Sequence, residues 1–502
     1  MANATVLRYR PDTRPFWRDD ERPAVVDASC AAANARFSAA DDTWSEDALL
    51  AEVAARRRGL RVPFYLYDDA SGASMNATEL LAHFANCQHK APGRFGKVRE
   101  QPWFVLEVRR AWTDHRFIAS LLDHPWRTRT PEEAAILVIP LLLTFELLAQ
   151  GECGHPSVAT MRHVERGALW KKRARDHLVV SLGFHVKFDR LPNSVWSSLD
   201  GNVLWGHYEL KNMISPRSNN TKLVVPYTNS PIGAPVTATT RDVDVFFGGG
   251  TFPGFVNGPW ARPGYALRWD MFEQLRRTTE RQICTKAPGG CVTARRQVTC
   301  VICRWVPRAR HLSLHEGRDA ARILLVASDI PSDLPEAFTR EVAPCPPMIA
   351  PLERGVTACR GHFDAIALMR RAEFVLYVRG DTPTTSRLQE ALVAGALPII
   401  VSDQLFRVGL AFPCFVPYRR FLVEVPERQI HADAPRALLD VLNQTRQPRR
   451  RRMRETLGAM ARDLLWDFPG SRVVDNVLLE AARLRGKLPG VCCFEDARPA
   501  VL

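Results

Sequence analysis

The sequence predicts an α/β fold made of two doubly wound halves that are joined by a linker and followed by helices. Short apolar runs of strand length alternate with amphipathic segments of helical period in both halves. The clearest unit lies at residues 374–401, where two apolar runs flank a helical segment. Continuous apolar runs of this length are typical of parallel strands that are buried on both faces. The sequence therefore predicts a parallel βαβ crossover at this point.

The remaining elements follow the same alternation. In the first half, strands are predicted at residues 62–67, 135–140, 178–182 and 223–226, and helical segments at 104–122 and 157–176. A linker that contains Pro and Gly lies at residues 228–241. In the second half, strands are predicted at residues 243–247, 323–327, 374–378 and 397–401, and three helical stretches follow between residues 432 and 488.

These elements divide the chain into four regions. A length of 502 residues allows two or three domains at about 150 residues each. We place a flexible, polar stem at residues 1–58, an N-terminal α/β domain at 59–235, a C-terminal α/β domain at 236–432, and terminal helices and a tail at 433–502. Residues 251–360 are rich in Gly, Pro, Arg and Cys, so we expect a divergent insertion there.

The charge and the apolar content exclude some classes of protein. The net charge is +14, which would attract nucleic acid, anionic membranes or acidic ligands, although a general Arg and Ala bias explains it equally well. The densest basic run, at residues 449–452, has no interleaved aromatic residues, so no nucleic acid is expected as a partner. No run of about 20 apolar residues occurs, and the N-terminus lacks the apolar core of a signal peptide.

Cysteines and sequons permit a secretory-pathway lumen. The chain has twelve Cys, and N-glycosylation sequons begin at Asn3, Asn76, Asn219 and Asn443. Four Cys lie close together, at positions 284, 291, 300 and 303, but they contain a single C-x-x-C pair. Zinc knuckles prefer two such pairs, so disulfides or unpaired thiols are favoured over a metal.

A polar loop follows the apolar run at residues 374–378. In doubly wound sheets, ligands bind at the carboxyl ends of the strands, and the next helix offers an N-terminus that suits a phosphate. The loop contains Arg379, Gly380, Asp381, Thr382, Thr384 and Thr385. The structural alternative is an ordinary βαβ turn, with Pro383 in the first helical turn and Thr as the cap.

The segment RGDTPTTSRLQEALVAGALPIIVSD, at residues 379–403, resembles the signature of the exostosin family, glycosyltransferase family 47. Residues 379–383 match, as do Arg387, Leu388, Gly395, Pro398 and Asp403, and Glu390 stands where the family has Asp or Glu. Ala396 departs from the usual Cys. Five further blocks resemble family landmarks in the expected order, at residues 62–68, 129–140, 170–177, 222–226 and 241–249. The amino-acid sequence of this signature is more similar to the plant and algal branch of the family than to its animal members.

The resemblance implies a GT-B fold, in which two Rossmann-like domains face each other across a cleft. It also implies an inverting transferase that moves a sugar from a nucleotide-sugar, with a UDP-sugar expected, to a glycan or to a cell-wall or matrix polysaccharide. A catalytically inactive glycan- or nucleotide-binding partner of a related transferase is the alternative. Members act in pairs, so a homo- or hetero-oligomer is expected. Members are anchored in the Golgi, whereas this sequence shows no such anchor, which suggests a gene model that starts late or a soluble relative.

The resemblance also assigns candidate residues to roles. The donor-site candidates are Gly248, Gly249, Arg379, Gly380, Asp381, Thr382, Thr385, Arg387 and Glu390. Arginines suit a diphosphate, because the guanidinium donates paired, charge-assisted hydrogen bonds. Glu390 either accepts hydrogen bonds from ribose or pairs with Arg387, three residues earlier. No obligatory metal is expected, although a divalent ion stays an alternative, and the D-x-D at residues 242–244 precedes its strand and is read as a coincidence.

The catalytic base should come from the first half. Asp68 and Asp69 end its first predicted strand, and His207 lies among aromatic residues. An inverting transfer needs one group of this kind to deprotonate the acceptor hydroxyl. By contrast, Asp176 and His177 precede a predicted strand, so we expect a structural role for them.

Overall fold

A computed structural model shows two compact units, which we call the N-terminal and the C-terminal domain. The structure describes residues 45–68, 76–90, 113–144, 146, 154–182, 202–208, 221–228, 241–250, 263–284, 302–303, 322–328, 355–360, 365–380, 383–488, 491 and 493–494. The described part of the N-terminal domain lies within residues 45–228, 406–418 and 460–494. That of the C-terminal domain lies within residues 241–405 and 419–459.

The N-terminal domain contains a parallel sheet whose five strands follow one another in chain order. The strands are β1 Phe64–Leu66, β2 Ile136–Val138, β3 His177–Val180, β4 Leu204–His207 and β5 Thr221–Val224. Strand β4 is absent from the sequence-based prediction, because Gly206 and His207 interrupt its short apolar run. Gly206 is required there, since a Cβ would lie 2.8 Å from Val180 Cγ2. A glycine thus lets β4 pack closely beside its neighbours.

The helices of the N-terminal domain include two, at residues 46–57 and 77–90, that the sequence does not predict. They are α1 Glu46–Arg57, α2 Ala77–Lys90, α3 Pro156–Arg166 and α4 Ala168–Arg173, with further helical turns at residues 113–122 and 174–176. Residues 46–57 belong to the predicted stem, so that prediction is wrong for this segment. Leu49 and Val53 are buried, one helical turn apart, and Arg57 forms an ion pair with Asp463. This ion pair joins the helix to a residue that lies more than 400 positions away in the chain, and it stabilises the helix.

The C-terminal domain contains a seven-stranded sheet in the order β12-β11-β10-β6-β8-β9-β7. The strands are β6 Val243–Gly250, β7 Ile302–Cys303, β8 Arg322–Ser328, β9 Gly355–Arg360, β10 Ala372–Val378, β11 Leu397–Val401 and β12 Val423–Glu424. All neighbours pair in parallel except β7 and β9. Both domains therefore confirm the predicted α/β class. Strands β7 to β9 fall in the predicted insertion, so at least these parts of it belong to the sheet.

Six helices are described that begin in the C-terminal domain. They are α5 Pro263–Cys284, α6 Ala365–Arg370, α7 Arg387–Ala394, α8 Leu405–Val408, α9 Glu427–Gln444 and α10 Gln447–Leu464. Helix α10 ends in the N-terminal domain, where α11 Val473–Leu484 follows. A disulfide joins Cys414 to Cys493 within that domain. Among the residues described above, none of the helices combines the length and the apolar character needed to cross a membrane.

The β10–α7–β11 crossover is fixed by one arginine that lies two residues before β6. Arg241 Nη2 donates to the carbonyls of Ala394, at 3.2 Å, and Gly395, at 2.8 Å, at the end of α7. Its Nη1 donates to the carbonyls of Arg370 and Ala372, beside the start of β10. Gly395 has φ 63°, the left-handed conformation that ends helices. Arg241 thus holds the helix that follows the candidate loop.

Candidate functional site

The loop after β10 is tied to strand β10, to strand β11 and to the residue that follows β11. Arg379 N donates to Val401 O at 3.2 Å. The carbonyl of Pro383 accepts from Tyr377 Oη and from Ser402 Oγ, each at 3.1 Å. Thr385 N donates to the same Tyr377 Oη at 2.8 Å. The loop is therefore held at the carboxyl edge of the sheet. Asp381 and Thr382 lie outside the described residues.

Arg379 is buried and forms an ion pair with the first residue of α9. Its Nε lies 2.8 Å from Glu427 Oε1, and the residue is 6% exposed. The Nε–H does not point at that oxygen, so the contact is electrostatic rather than a hydrogen bond. Asp403 and Glu427 bond reciprocally, each backbone N–H donating to the other carboxylate at 3.1 and 2.9 Å. A buried charge compensated in this way is costly to disrupt.

Arg387 and Glu390 interact with each other on α7. Arg387 Nη1 contacts Glu390 Oε2, and Ser386 Oγ donates to Glu390 Oε1 at 3.0 Å. Glu390 is 5% exposed, whereas the Arg387 side chain is 20% exposed. In this structure, Glu390 is thus the partner of Arg387, which was one of its two expected roles.

Arg268 is a candidate that the sequence prediction missed. It lies on α5, is buried, and donates to the carbonyl of Val378, the last residue of β10, from Nε at 3.1 Å and from Nη2 at 2.8 Å. A Cβ on Gly380 would lie 3.2 Å from its Nη2, and a Cβ on Gly249 would lie 3.7 Å from its Nη1. The guanidinium therefore occupies space between two of the glycines singled out as donor-site candidates.

The start of α5 also touches the loop. A Cβ on Gly264 would lie 1.7 Å from Gly380 O and 2.8 Å from Arg379 O, so the two backbones meet here. Gly248 and Gly249 lie at the carboxyl end of β6, where they pair with Val326 and Ala327 of β8. The positive end of the α5 dipole adds to the charges of two buried arginines at this edge. Such an arrangement suits a phosphate group.

Comparisons with known proteins settle the family. The Exostosin GT47 domain model matches residues 65–442 of the chain. The chain belongs to the exostosin family. It is therefore a glycosyltransferase, and its two parallel-sheet domains agree with the GT-B type. The family match extends over the donor-site candidates of the C-terminal domain. Assignment to the plant and algal branch stays a prediction.

Three solved structures that match the chain are distant from it in sequence. A chain of the GtfA/B complex is 10% identical at a TM-score of 0.30, with 66% of this chain and 61% of that chain covered. The trehalose-phosphate synthase of Burkholderia xenovorans is 11% identical at 0.31, with 80% and 84% covered. Alr3699/HepE of Anabaena, solved with UDP-glucose, is 10% identical at 0.33, with 85% and 99% covered. These TM-scores are too low to support inference. No curated protein sequence matches the chain.

In this exostosin-family protein, the D-x-D at residues 242–244 begins with a structural residue. Asp242 Oδ1 accepts from Arg371 Nε at 2.9 Å, and Oδ2 contacts Arg371 Nη2. The two residues precede β6 and β10, so they lie at the amino edge of the sheet, away from the loop at the carboxyl edge. Across the described ranges, no cluster of three or more His, Cys, Asp or Glu side chains has the arrangement of a metal site.

The candidates for the catalytic base differ in their surroundings. Asp68 Oδ1 accepts from Ala77 N, at the start of α2, at 2.9 Å, and its Oδ2 accepts from Arg127 Nη2 at 2.7 Å. Both oxygens are thus engaged in contacts that stabilise the fold. His207 ends β4 and is 1% exposed, and the centroid of its ring lies 4.0 Å from that of Tyr208. Asp69 lies outside the described residues. The geometry favours structural roles for Asp68 and His207.

His177, the first residue of β3, has the structural environment expected for it. Its Nδ1 lies 3.0 Å from the carbonyls of Arg173 and Ala174, and its Nε2 lies 2.8 Å from Tyr67 Oη. Carbonyls only accept, so Nδ1 carries the proton and Nε2 accepts from the tyrosine. Burial lowers the pKa of His177 to about 4, which keeps the ring neutral.

Proposed function

We propose that the protein is an inverting glycosyltransferase that moves a sugar from a nucleotide-sugar to a hydroxyl of a glycan or polysaccharide. A UDP-sugar is the expected donor. The observation that carries this proposal is the pair of buried arginines, Arg268 and Arg379, at the carboxyl edge of β10. Family membership supports the same reaction class and a Golgi location.

The C-terminal domain is proposed to bind the nucleotide diphosphate. Arg268, Arg379 and Arg387 would donate charge-assisted hydrogen bonds to its oxygens, and Glu390 would accept from the ribose hydroxyls. As the sugar leaves, negative charge grows on the diphosphate, and fixed positive charge stabilises it more than it stabilises the bound donor. We therefore propose that no metal is obligatory. The preorganised contacts of Arg268 with β10 support this, because little rearrangement would be needed.

The transfer itself is a single displacement. The acceptor oxygen forms a bond to the anomeric carbon while the bond from that carbon to the diphosphate breaks. The electron pair of the broken bond leaves with the diphosphate, and the hydroxyl proton passes to a base. Attack from the face opposite the leaving group inverts the anomeric configuration.

A thermal-shift panel tests the donor site. The full chain is heated with UDP, GDP or CDP, with and without EDTA. A ligand that binds only the native state raises the melting temperature. The expected result is a shift with UDP that survives EDTA. Loss of the shift in EDTA would contradict metal independence. No shift with any nucleotide would contradict donor binding and favour an inactive partner that binds glycans.

The variant Arg387→Ala tests the role of α7. A hydrogen bond to a charged group contributes about 1.5–3 kcal/mol, so we expect the Kd for UDP to rise by roughly 10- to 150-fold. The matched control is Arg436→Ala, which removes the exposed ion pair with Asp440 on α9. Equal affinities of the wild type and both variants, measured by calorimetry, would remove Arg387 from the donor site.

A further inference from the structure

A buried polar cluster lies at the carboxyl edge of the N-terminal sheet. Asp114 is fully buried, and its two oxygens accept from Thr144 N at 3.0 Å and from Leu182 N at 3.1 Å. Thr144 follows β2 and Leu182 follows β3. Thr144 Oγ1 and Ser181 Oγ lie 3.0 Å apart. The cluster therefore joins the ends of two parallel strands, at the edge where such sheets bind ligands.

Glu146 extends this cluster to the start of α3. Its Oε1 accepts from Ser157 N at 2.7 Å, and Ser157 Oγ accepts from Leu142 N at 3.2 Å. The residue is 1% exposed, and its Oε2 is buried with no hydrogen-bond partner among the residues that the structure describes. Leaving a buried carboxylate oxygen without a partner costs stability. An unsatisfied group of this kind calls for a functional explanation.

His155 is the group that this oxygen faces. Its Nδ1 lies 3.9 Å from Glu146 Oε2, and its side chain is 42% exposed, in contrast to the buried carboxylate. His155 immediately precedes α3, but its side chain makes no capping hydrogen bond to that helix. The imidazole is thus backed by a buried carboxylate on its Nδ1 side and is accessible from solvent. The 3.9 Å separation exceeds a hydrogen bond, yet catalytic contacts are often long before substrate binds.

We propose that His155 is the catalytic base of the transfer reaction and that Glu146 is its positioning residue. The assignment rests on the proposed glycosyl transfer. His155 Nε2, across the ring from Glu146, accepts the proton of the acceptor hydroxyl as its oxygen bonds to the anomeric carbon. The Nδ1–H of the resulting imidazolium faces the carboxylate of Glu146. The imidazolium then releases its proton to solvent, and the nucleoside diphosphate carries away the electron pair of the broken bond.

His155 and Glu146 form a dyad whose surrounding charges favour acceptance of a proton by the imidazole. Burial raises the pKa of Glu146 to about 7, and the nearby Asp114 carboxylate adds to this effect. Burial likewise raises the pKa of Asp114 to about 7. When ionised, the Glu146 carboxylate attracts the positive charge that the imidazole gains when it accepts the proton.

The experiment measures release of UDP by the full chain. Donors are UDP-glucuronic acid, UDP-N-acetylglucosamine, UDP-galactose, UDP-arabinose and UDP-xylose, with neutral and uronic-acid-containing oligosaccharides as acceptors. The variants are His155→Ala and Glu146→Gln, and His163→Gln on the same helix is the control. His155→Ala should lower kcat by about 10²- to 10⁴-fold, the usual contribution of general base catalysis, with the KM for the donor unchanged. Added imidazole should restore part of the rate.

Glu146→Gln separates positioning from a structural role. In the wild type, Glu146 takes up a proton as the pH drops through about 7, so the rate should fall there. The variant lacks this titrating carboxyl, so the limb should move away from pH 7. The amide of the introduced glutamine keeps an oxygen for Ser157 N, and the melting temperature checks folding. A merely structural glutamate would lower the rate at every pH without moving the limb.

The outcomes separate the two proposals. Absence of transfer by the wild type with every donor overturns the proposed function and the assignment of His155 with it. Transfer by the wild type together with a fully active His155→Ala overturns the assignment alone. The same holds if His155→Ala is folded, has a lowered rate that does not respond to imidazole, and keeps the pH profile of the wild type. Loss of rate with imidazole rescue and a normal His163→Gln control supports the dyad.

Discussion

Replacing Gly264 with alanine would place a methyl group against the backbone of the loop that follows β10. The new Cβ would lie 1.7 Å from Gly380 O, whereas ordinary contacts begin at 3.4 Å. The loop or the start of α5 must therefore move by about 1.7 Å, the difference between these distances. Overpacking of this kind costs about 1–3 kcal/mol, which exceeds the roughly 1 kcal/mol by which alanine favours a helix. We expect the difference, a net loss of up to about 2 kcal/mol, in the free energy of unfolding.

The same displacement should weaken nucleotide binding, because Arg268 and Arg379 depend on this junction for their positions. A shift of about 1 Å at a binding group can cost up to 10²-fold, so we expect the Kd for UDP to rise by at least about 10-fold. Urea unfolding and calorimetry with UDP measure the two effects.

The chain offers a matched control for this substitution. Gly458 lies inside α10, and a Cβ there would meet nothing within 4 Å. Gly458→Ala should therefore stabilise the protein by about 0.5–1 kcal/mol and leave UDP binding unchanged. The reasoning is refuted if Gly264→Ala is as stable as Gly458→Ala and binds UDP like the wild type.

Two further predictions concern buried charges. Arg268→Lys keeps the positive charge but loses the paired donation to Val378 O, so we expect the Kd for UDP to rise roughly 10-fold. The control Arg451→Ala, at an exposed position, should leave this Kd unchanged. Equal Kd values for the wild type and Arg268→Lys in calorimetry would contradict a role for the guanidinium. Burial raises the pKa of Asp114 from 3.8 to about 7, so this carboxyl holds its proton more tightly in the folded state than in the unfolded state. The protonated carboxyl therefore contributes fully to stability below about pH 4, and this contribution is lost as the pH rises through 7. At about 1.4 kcal/mol per pKa unit, the contribution to the free energy of unfolding is roughly 4 kcal/mol at most. In urea unfolding between pH 5 and 8, the free energy of unfolding should decline less steeply with pH for Asp114→Asn than for the wild type. Parallel curves for the two proteins would contradict this prediction.

Much of the fold could be predicted because it depends on local pattern. Strands β6, β8, β10 and β11 are apolar runs of strand length, and each lies where its run predicts it. The loop beginning at Arg379 could be located for the same reason, since it follows directly after such a run. Strand β4 escaped prediction because Gly206 lowers its apparent strand propensity, although close packing requires that glycine.

The candidate site was only partly predictable, because contacts between distant residues leave no periodic signal. Arg268 meets Val378 across 110 positions of the chain, and it lies in a stretch whose composition suggested an insertion. Asp68 appeared free to act as a base from its position after β1. Its partner Arg127, 59 residues away, shows that both oxygens are used in the fold.

The sequence by itself determined the α/β class, the two sheets, the family and the loop at residues 379–385, since apolar periodicity and a contiguous signature are written in neighbouring residues. Tertiary structure alone decided which charged groups meet. It placed Arg268 beside β10, enclosed Glu146 beneath His155, and paired Arg379 with Glu427. Burial and the distance between charges set how strongly ionisable groups hold protons or ligands, and both quantities exist only once the chain has folded.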